Sequence, residues 1–235
     1  MAEPVYLSDS YCRECAATVL EMPEQRKAVL DRNLFSPRGG GQPFDRGFIQ
    51  TEEEKFVVLS VEKKDGKIVH ELDREGLKSG DAVKCILDWE RRHKLMRMHT
   101  AAHILAGMFA SETGALITGN QIEEDKSRFD FSLENFDRAK FDEIVEKANS
   151  AIGKNIELKI YSLAREEAMK IPGIVKLASA LPPSIPILRI VEIPGADIQA
   201  DGGTHVKNTS EIGKIEILKL DNKGASNRRM YFALK

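Results

Sequence analysis

Two of the chain's five histidines stand four residues apart in Met96-Arg97-Met98-His99-Thr100-Ala101-Ala102-His103, inside a segment whose apolar spacing is helical. Four residues is about one helical turn, so both imidazoles leave one face and can reach a single small ion. Asp88 before Trp89 is a start signal and Gly114 a stop, because a left-handed cap suits glycine. The pattern predicts a helix of about six or seven turns. Leu95, Met98, Ala102, Leu105 and Phe109 form its apolar stripe, with His99 and His103 half-buried on the shoulder beside Met96 and Ala106. By itself this spacing more often marks packed or exposed histidines than ligands.

The chain of 235 residues has room for one large domain or two small ones. Apolar content of 42% and charged content of 31% are those of an ordinary soluble protein. There is no N-terminal apolar run and no stretch near bilayer length, which predicts a cytoplasmic protein with no membrane partner. A formal net charge of −2 means that a nucleic acid would have to be met by a local basic patch. Three cysteines, an odd count, argue against a disulfide framework. Cys12 and Cys15 form a C-x-x-C with no second pair and no clear βαβ context, so reduced or incidental thiols near the first strand are the expectation.

Short β runs separated by turns fill the chain from Val5 to Asp88: Ala16–Met22, Arg26–Asp31, Gly47–Thr51, Phe56–Lys63, Lys67–Leu72 and Asp81–Leu87. Asp65-Gly66 is a tight-hairpin signal. Short strands without an intervening helix predict a small barrel or sandwich over 1–88. One segment there does not read as scaffold. Leu34-Phe35-Ser36-Pro37-Arg38-Gly39-Gly40-Gly41-Gln42-Pro43-Phe44-Asp45-Arg46-Gly47 brackets three glycines with two prolines. Glycine lets backbone approach a ligand and offer its N–H groups, while proline stiffens both ends. No Lys-Ser/Thr follows, so it is not a P-loop, and a tight loop needing positive φ explains it equally well.

The remainder, 89–235, mixes helices and strands without strict βαβ alternation and reads as α+β. After the long helix come a mixed run at Ala115–Ile122, a strand at Ser127–Ser132 and a helix at Asp137–Ile152 ending at Gly153. A strand at Ile156–Tyr161, a short helix at Leu163–Lys170, a loop at Leu181-Pro182-Pro183-Ser184 and a strand at Ile187–Ile193 follow. The last strands are expected at Ile212–Leu220 and Arg229–Leu234.

Late in the chain, Asp201-Gly202-Gly203-Thr204-His205 puts a carboxylate and an imidazole four apart across a flexible pair. Added to His99 and His103 it supplies three nitrogens and one oxygen, a set zinc accepts. His70 and His93 belong to neither motif and are read as surface or packing residues.

These motifs, in this order, carry a resemblance that spans nearly the whole chain. His99-x-x-x-His103, then Gly-Gly-Thr-His205, preceded by Gly39-Gly40-Gly41-Gln42-Pro43, closely resemble the free-standing alanyl-tRNA editing proteins called AlaX, of the medium-length type. These look like the editing domain of alanyl-tRNA synthetase cut loose from its catalytic core. The resemblance implies a glycine-motif β-barrel followed by a zinc-bearing α+β editing domain, with Arg228-Arg229 matching the family's C-terminal basic pair. It implies hydrolysis of the ester joining a wrong amino acid, chiefly serine and sometimes glycine, to tRNA for alanine. One Zn2+ per chain would be held by His99, His103 and His205.

The fourth ligand departs from the family's usual cysteine, since Asp201 stands there. A carboxylate keeps the site's charge but is harder than thiolate, which makes a bound water more acidic and weakens metal retention. Alternatively Asp201 stands off the metal and serves as base for the zinc-bound water. Its spacing to His205 matches that of the family's ligands, so the resemblance favours ligation. The resemblance further implies that Gly39, Gly40, Gly41 and Gln42 shape the amino-acid pocket. Thr118, Asn120 and Gln121 are candidates to hydrogen-bond a serine hydroxyl, against the plainer reading of a polar edge strand. Arg91, Arg92, Lys94 and Arg97, with Lys223, Arg228 and Arg229, are candidates for acceptor-stem phosphates, against the plainer reading of a solvated face. The competing functions are a zinc hydrolase of another ester or amide, and an RNA-binding protein whose metal site is structural or lost. Oligomeric state cannot be read from these residues.

Overall fold

The computed structural model describes residues 2–134, 137–175, 185–224 and 227–235. The chain divides into two compact units, Met1–Leu95 and Met96–Lys235, so the boundary falls inside the long helix and not before it. The expected loop at Leu181–Ser184 lies outside the described residues. No helix among those described is long and apolar enough to cross a membrane.

A one-turn helix α1 (Val5–Ser8) precedes strands β1 (Glu14–Glu24), β2 (Lys27–Leu30), β3 (Gly47–Gln50), β4 (Lys55–Lys64), β5 (Lys67–Leu72) and β6 (Ala82–Leu87). They close into an antiparallel barrel in the order β1-β2-β5-β4-β3-β6. Alternation builds it: Phe56 and Val58 of β4 point inward while Val57 and Leu59 face out. A bulge between Val58 and Ser60 then shifts the parity so that Val61 again points inward. Asp65 and Gly66, at φ 49° and 78°, make the β4–β5 hairpin turn that the dipeptide predicts.

The glycine-rich segment is a loop with a fastened neck. Ser36 and Asp45 are joined twice, Asp45 N–H donating to Ser36 C=O at 3.0 Å and the Asp45 carboxylate accepting from Ser36 N–H at 2.6 Å. At the tip Gly39 and Gln42 exchange both backbone bonds, with Gly40 and Gly41 at φ 59° and 88°, values of a type I′ turn. The Arg92 guanidinium grips the neck, donating through Nε to both Asp45 oxygens at 2.9 Å and through its terminal nitrogens to the carbonyls of Ser10 and Leu34. Arg92 is fully buried. The expectation that it meets phosphate is therefore corrected, because its donors are committed to the barrel's own interior.

His70 is also fully buried; its Nδ1–H donates to Ala28 C=O at 3.2 Å, and among the described residues Nε2 has no hydrogen-bond partner. Burial pushes its pKa down to about 4.

In the second unit, helix α2 (Trp89–Thr113) continues past the boundary, capped at its start by Asp88 Oδ1 accepting from Arg91 N–H and at its end by Gly114 at φ 69°. β7 (Ile117–Gln121) and β8 (Ser127–Phe131) follow, then α3 (Arg138–Ile152), β9 (Lys159–Ala164), α4 (Arg165–Ala168), β10 (Ile187–Ile193), β11 (Asp197–Ala200), β12 (Ile215–Asn222) and β13 (Arg228–Leu234). One sheet has the order β12-β13-β8-β7, the other β11-β10-β9. Phe109 of α2, Phe131 of β8 and Phe141 of α3 cluster at 4.2 to 6.0 Å between centroids, Phe109 stacked on Phe131 and Phe141 tilted or edge-on to them, and tie both helices to the larger sheet. The single apolar stripe expected for α2 is corrected: from Leu95 to Gly107 only Arg97 escapes burial, so the helix is enclosed on every side. Strand β9 begins three residues later than expected, after the turn at Asn155, and β11 was not foreseen.

Two consequences can be measured. Asp45→Ala strands a buried guanidinium and should destabilise the protein by about 3–5 kcal/mol in denaturant unfolding; a loss below about 1 kcal/mol would contradict the neck's role. His70, neutral when folded and protonated when unfolded, contributes stability present above about pH 6.5 that is lost as pH falls towards about 4. His70→Gln should therefore gain on the wild type by up to about 3 kcal/mol between pH 7 and pH 4, read from paired unfolding curves.

Candidate metal centre

Helix α2 supplies His99 and His103 one turn apart, as their spacing predicts. The loop after β11 supplies Asp201 and His205, and one ligand atom from each of the four lies within 4.8 Å of every other. Asp201 Oδ1 is 3.4 Å from His99 Nε2 and 3.5 Å from His103 Nε2, while its Oδ2 is 3.5 Å from His205 Nε2. The three histidines are 1–5% exposed, and His99 and His103 lie deeper than the half-buried positions expected of them.

The hydrogen bonds behind the rings say which nitrogens are bare. Thr100 Oγ1 gives its proton to Met96 C=O at 2.8 Å, leaving lone pairs for His205 Nδ1–H at 3.1 Å and Val206 N–H at 3.3 Å. His103 Nδ1 is 3.0 Å from Asp197 Oδ2, where only an N–H satisfies a carboxylate. In the neutral rings both Nε2 atoms are then lone pairs aimed at an anionic oxygen, the state in which a ring can take a metal. Acceptors facing acceptors repel unless a proton or a metal cation lies between them. The spacing admits a metal: bonds of 2.0–2.1 Å to zinc make tetrahedral edges of about 3.3 Å, and the carboxylate–imidazole approaches, shared between the two Asp201 oxygens, are 3.4 and 3.5 Å. The donor set therefore fits a divalent transition metal.

Protons compete with a metal for these positions unequally. Burial opposes a charge on Asp201, but the neighbouring His99 and hydrogen bonds from the three imidazoles hold its pKa well below the carboxylate range. Burial, then the charges of His99 and His103, push His205 well down. Burial also works against His103, yet Asp197 and Asp201 outweigh it and raise that imidazole to about 9, so a metal must displace a proton from its Nε2.

Backbone permits this convergence. A side chain on Gly203 would put a Cβ 2.3 Å from His99 Cε1, so only glycine passes the ring there. Arg189 of β10 donates through Nη1 to the carbonyls of Asp201 and Gly203, both at 3.1 Å, and Asp201 N–H returns a bond to Arg189 C=O. Thr100, Asp197, Gln199 and Arg189 were not singled out from sequence. The alternation Asp197-Ile198-Gln199-Ala200 after Gly195 (φ 76°) was the signal for the strand that carries two of them.

Thr118 and Gln121 lie exposed on the edge strand β7, where Thr118 Oγ1 donates to Asp130 C=O at 3.2 Å and Gln121 to the Glu123 carboxylate; Asn120 is half-buried on the same strand. Gly39, Gly40 and Gly41 are exposed on their turn while Gln42 is buried. Among the cationic candidates, Lys94 is exposed, Arg91 is buried and donates to Phe44 C=O, and Arg97 grips Ile212 C=O. Arg228 is corrected alongside Arg92: it is buried, and its guanidinium is spent on Asn222 and on the carbonyls of Gly224, Asn227 and Glu134. Arg229 pairs through two nitrogens with Asp130, at 2.6 and 2.9 Å, which raises its pKa further. Of the thiols, Cys15 and Cys85 are buried and paired across β1 and β6, and all three cysteines are free.

Residues 188–231 match the family model described as the threonyl and alanyl tRNA synthetase second additional domain, and residues 11–91 match that of class II (A) tRNA synthetases. The chain is 48% identical to the alanyl-tRNA editing protein AlaX-M of Saccharolobus solfataricus, with both chains covered completely. It is 48% identical to the AlaX-M of Methanosarcina barkeri over all of this chain and 99% of that one. To the AlaX-L of Pyrococcus horikoshii it is 35% identical, over 99% of this chain and 58% of that longer protein.

If Asp201 ligates the ion, Asp201→Ala should weaken Zn2+ binding at least about tenfold and Asp201→Cys should preserve it, read by competition with a chromophoric chelator. Equal affinity in all three proteins would take Asp201 out of the coordination shell.

Proposed function

The chain belongs to the AlaX family of alanyl-tRNA editing proteins, and from that membership we propose that it hydrolyses the ester joining serine, and secondarily glycine, to the tRNA for alanine. The observation that carries the reading is the cluster of His99, His103, Asp201 and His205, which could hold a metal ion and which we assign to one Zn2+ per chain. A bound zinc supplies Lewis acidity for the acyl carbonyl and for water near neutral pH.

The rest of the chemistry belongs to the chain. Water adds to the acyl carbon, the bond from that carbon to the ribose oxygen breaks, and the ribose oxygen takes up the proton that water gives up. No nucleophilic serine or cysteine is required, and the Thr100 hydroxyl is occupied by Met96, His205 and Val206. Asp201 would help to hold the cation and would contribute a negative charge to the site. Burial keeps bulk water from competing with these polar contacts.

Gly39, Gly40, Gly41 and Gln42 are proposed to shape the amino-acid pocket, and Thr118, Asn120 and Gln121 to recognise the serine hydroxyl. A site that hydrogen-bonds a hydroxyl rejects alanine, which lacks it, far more strongly than an apolar pocket does. For phosphates of the acceptor stem, Lys94 and Lys223 are the candidates that remain exposed; Arg91, Arg97 and Arg229, each bonded within the protein, are proposed to add positive charge.

Purified protein mixed with Ser-tRNA, Gly-tRNA and Ala-tRNA for alanine, with and without chelator, should release serine fastest and alanine least, and chelation should abolish release. Zinc-loaded protein that leaves Ser-tRNA intact while binding it would replace the hydrolase with an RNA-binding module.

A further inference from the structure

We propose that Asp197, backed by Gln199 and admitted by Gly107, is a positioning residue that gives His103 a stronger hold on the metal than His205 or His99 has; the proposal rests on the metal reading of the four-acceptor cluster. The three imidazoles differ in what stands behind them. His103 Nδ1–H meets a carboxylate at 3.0 Å, His205 Nδ1–H meets the neutral hydroxyl of Thr100 at 3.1 Å, and among the described residues His99 Nδ1 has no hydrogen-bond partner. A carboxylate behind an imidazole fixes its tautomer and ring angle and raises its basicity as a ligand. The hydroxyl fixes tautomer and angle but adds no charge.

Asp197 is placed for this task from two directions. On β11 it shares a face with Gln199, two residues on, and Gln199 Nε2 donates to Asp197 Oδ2 at 2.9 Å, the same oxygen that faces His103. Against the helix, the approach is possible only because residue 107 is glycine. His99, His103 and Gly107 stand at successive steps of four on one face of α2. A Cβ at Gly107 would lie 2.1 Å from Ala196 C=O and 3.0 Å from Asp197 Oδ1. Glycine in mid-helix is unfavourable by itself, and here it lets the β10–β11 turn lie against the helix one turn beyond the ligand.

The test uses the full chain and Zn2+ alone as probe, with affinity read by chelator competition and His103 tautomer by 15N imidazole shifts. Asp197→Ala should bind Zn2+ about 10- to 100-fold more weakly than wild type and lose the Nδ1–H signature. Asp197→Asn, which keeps an acceptor without the charge, should keep the tautomer and fall in between. Gln199→Ala and Gly107→Ala, neither of which touches a ligand, should weaken binding in the same direction. Wild-type affinity in Asp197→Ala would overturn the positioning role while leaving the metal reading intact. A wild type that takes up no zinc would overturn both. If Asp197→Ala fails to fold, Asp197→Asn and Gln199→Ala replace it: weakened binding in them supports the positioning role, and unchanged affinity in both refutes it.

Discussion

Three imidazoles and a carboxylate cannot share a small buried space with their lone pairs turned inward unless a positive charge joins them. That constraint organises the second unit. A helix interior delivers two of the rings with fixed spacing, and its burial on all sides removes freedom to splay. The other two ligands come from a loop, which is ordinarily the softer support. Here it is held by Arg189 on two carbonyls, by Thr100 on the Val206 N–H and by Gly203 lying flat against His99. Rigid helix and stapled loop together give the fixed geometry that metal sites need.

The glycine-rich loop of the first unit follows the same logic with different chemistry. Its tip is exposed and built from residues at positive φ, while its neck is closed by Ser36 and Asp45 and locked by the buried Arg92. A buried ion pair adds little net stability against an apolar alternative, but it enforces one arrangement because any other leaves a charge unpaired. Three glycines alone would be floppy; the guanidinium beneath them makes the turn a defined shape.

How much of this was legible depended on whether the deciding partner was near in sequence. The barrel strands showed through period-two alternation, the β4–β5 turn through Asp65-Gly66, and the ligands through helical spacing and a glycine hinge. Arg92 and Arg228 did not, because a cation on a helix or strand looks solvated until Asp45, or the carbonyls of Gly224 and Glu134, arrive from other parts of the chain. The enclosure of α2 was hidden for a related reason. Alanine, glycine, threonine and histidine dilute its apolar pattern, yet all of them pack when elements close in from every side. Strand β11 was hidden by its brevity: its four residues, Asp197–Ala200, offer only one alternation before the Asp201-Gly202-Gly203 bend.

Asp201 does something a thiolate in its place could not. Its Oδ1 faces His99 and His103, while Oδ2 faces His205 and also accepts the Gly203 N–H two residues on. That last bond is an Asx-type turn, the local closure that aspartate and asparagine provide. A cysteine offers one sulfur, soft and a weak hydrogen-bond acceptor, so it can ligate but cannot bridge ion and backbone in the same way. With aspartate the ligand itself bends the loop that brings His205 in, so ligation and loop closure depend on the same side chain. The harder oxygen donor holds zinc less tightly than sulfur, and the negative charge of Asp197 behind His103 offsets part of that loss from the opposite side of the site.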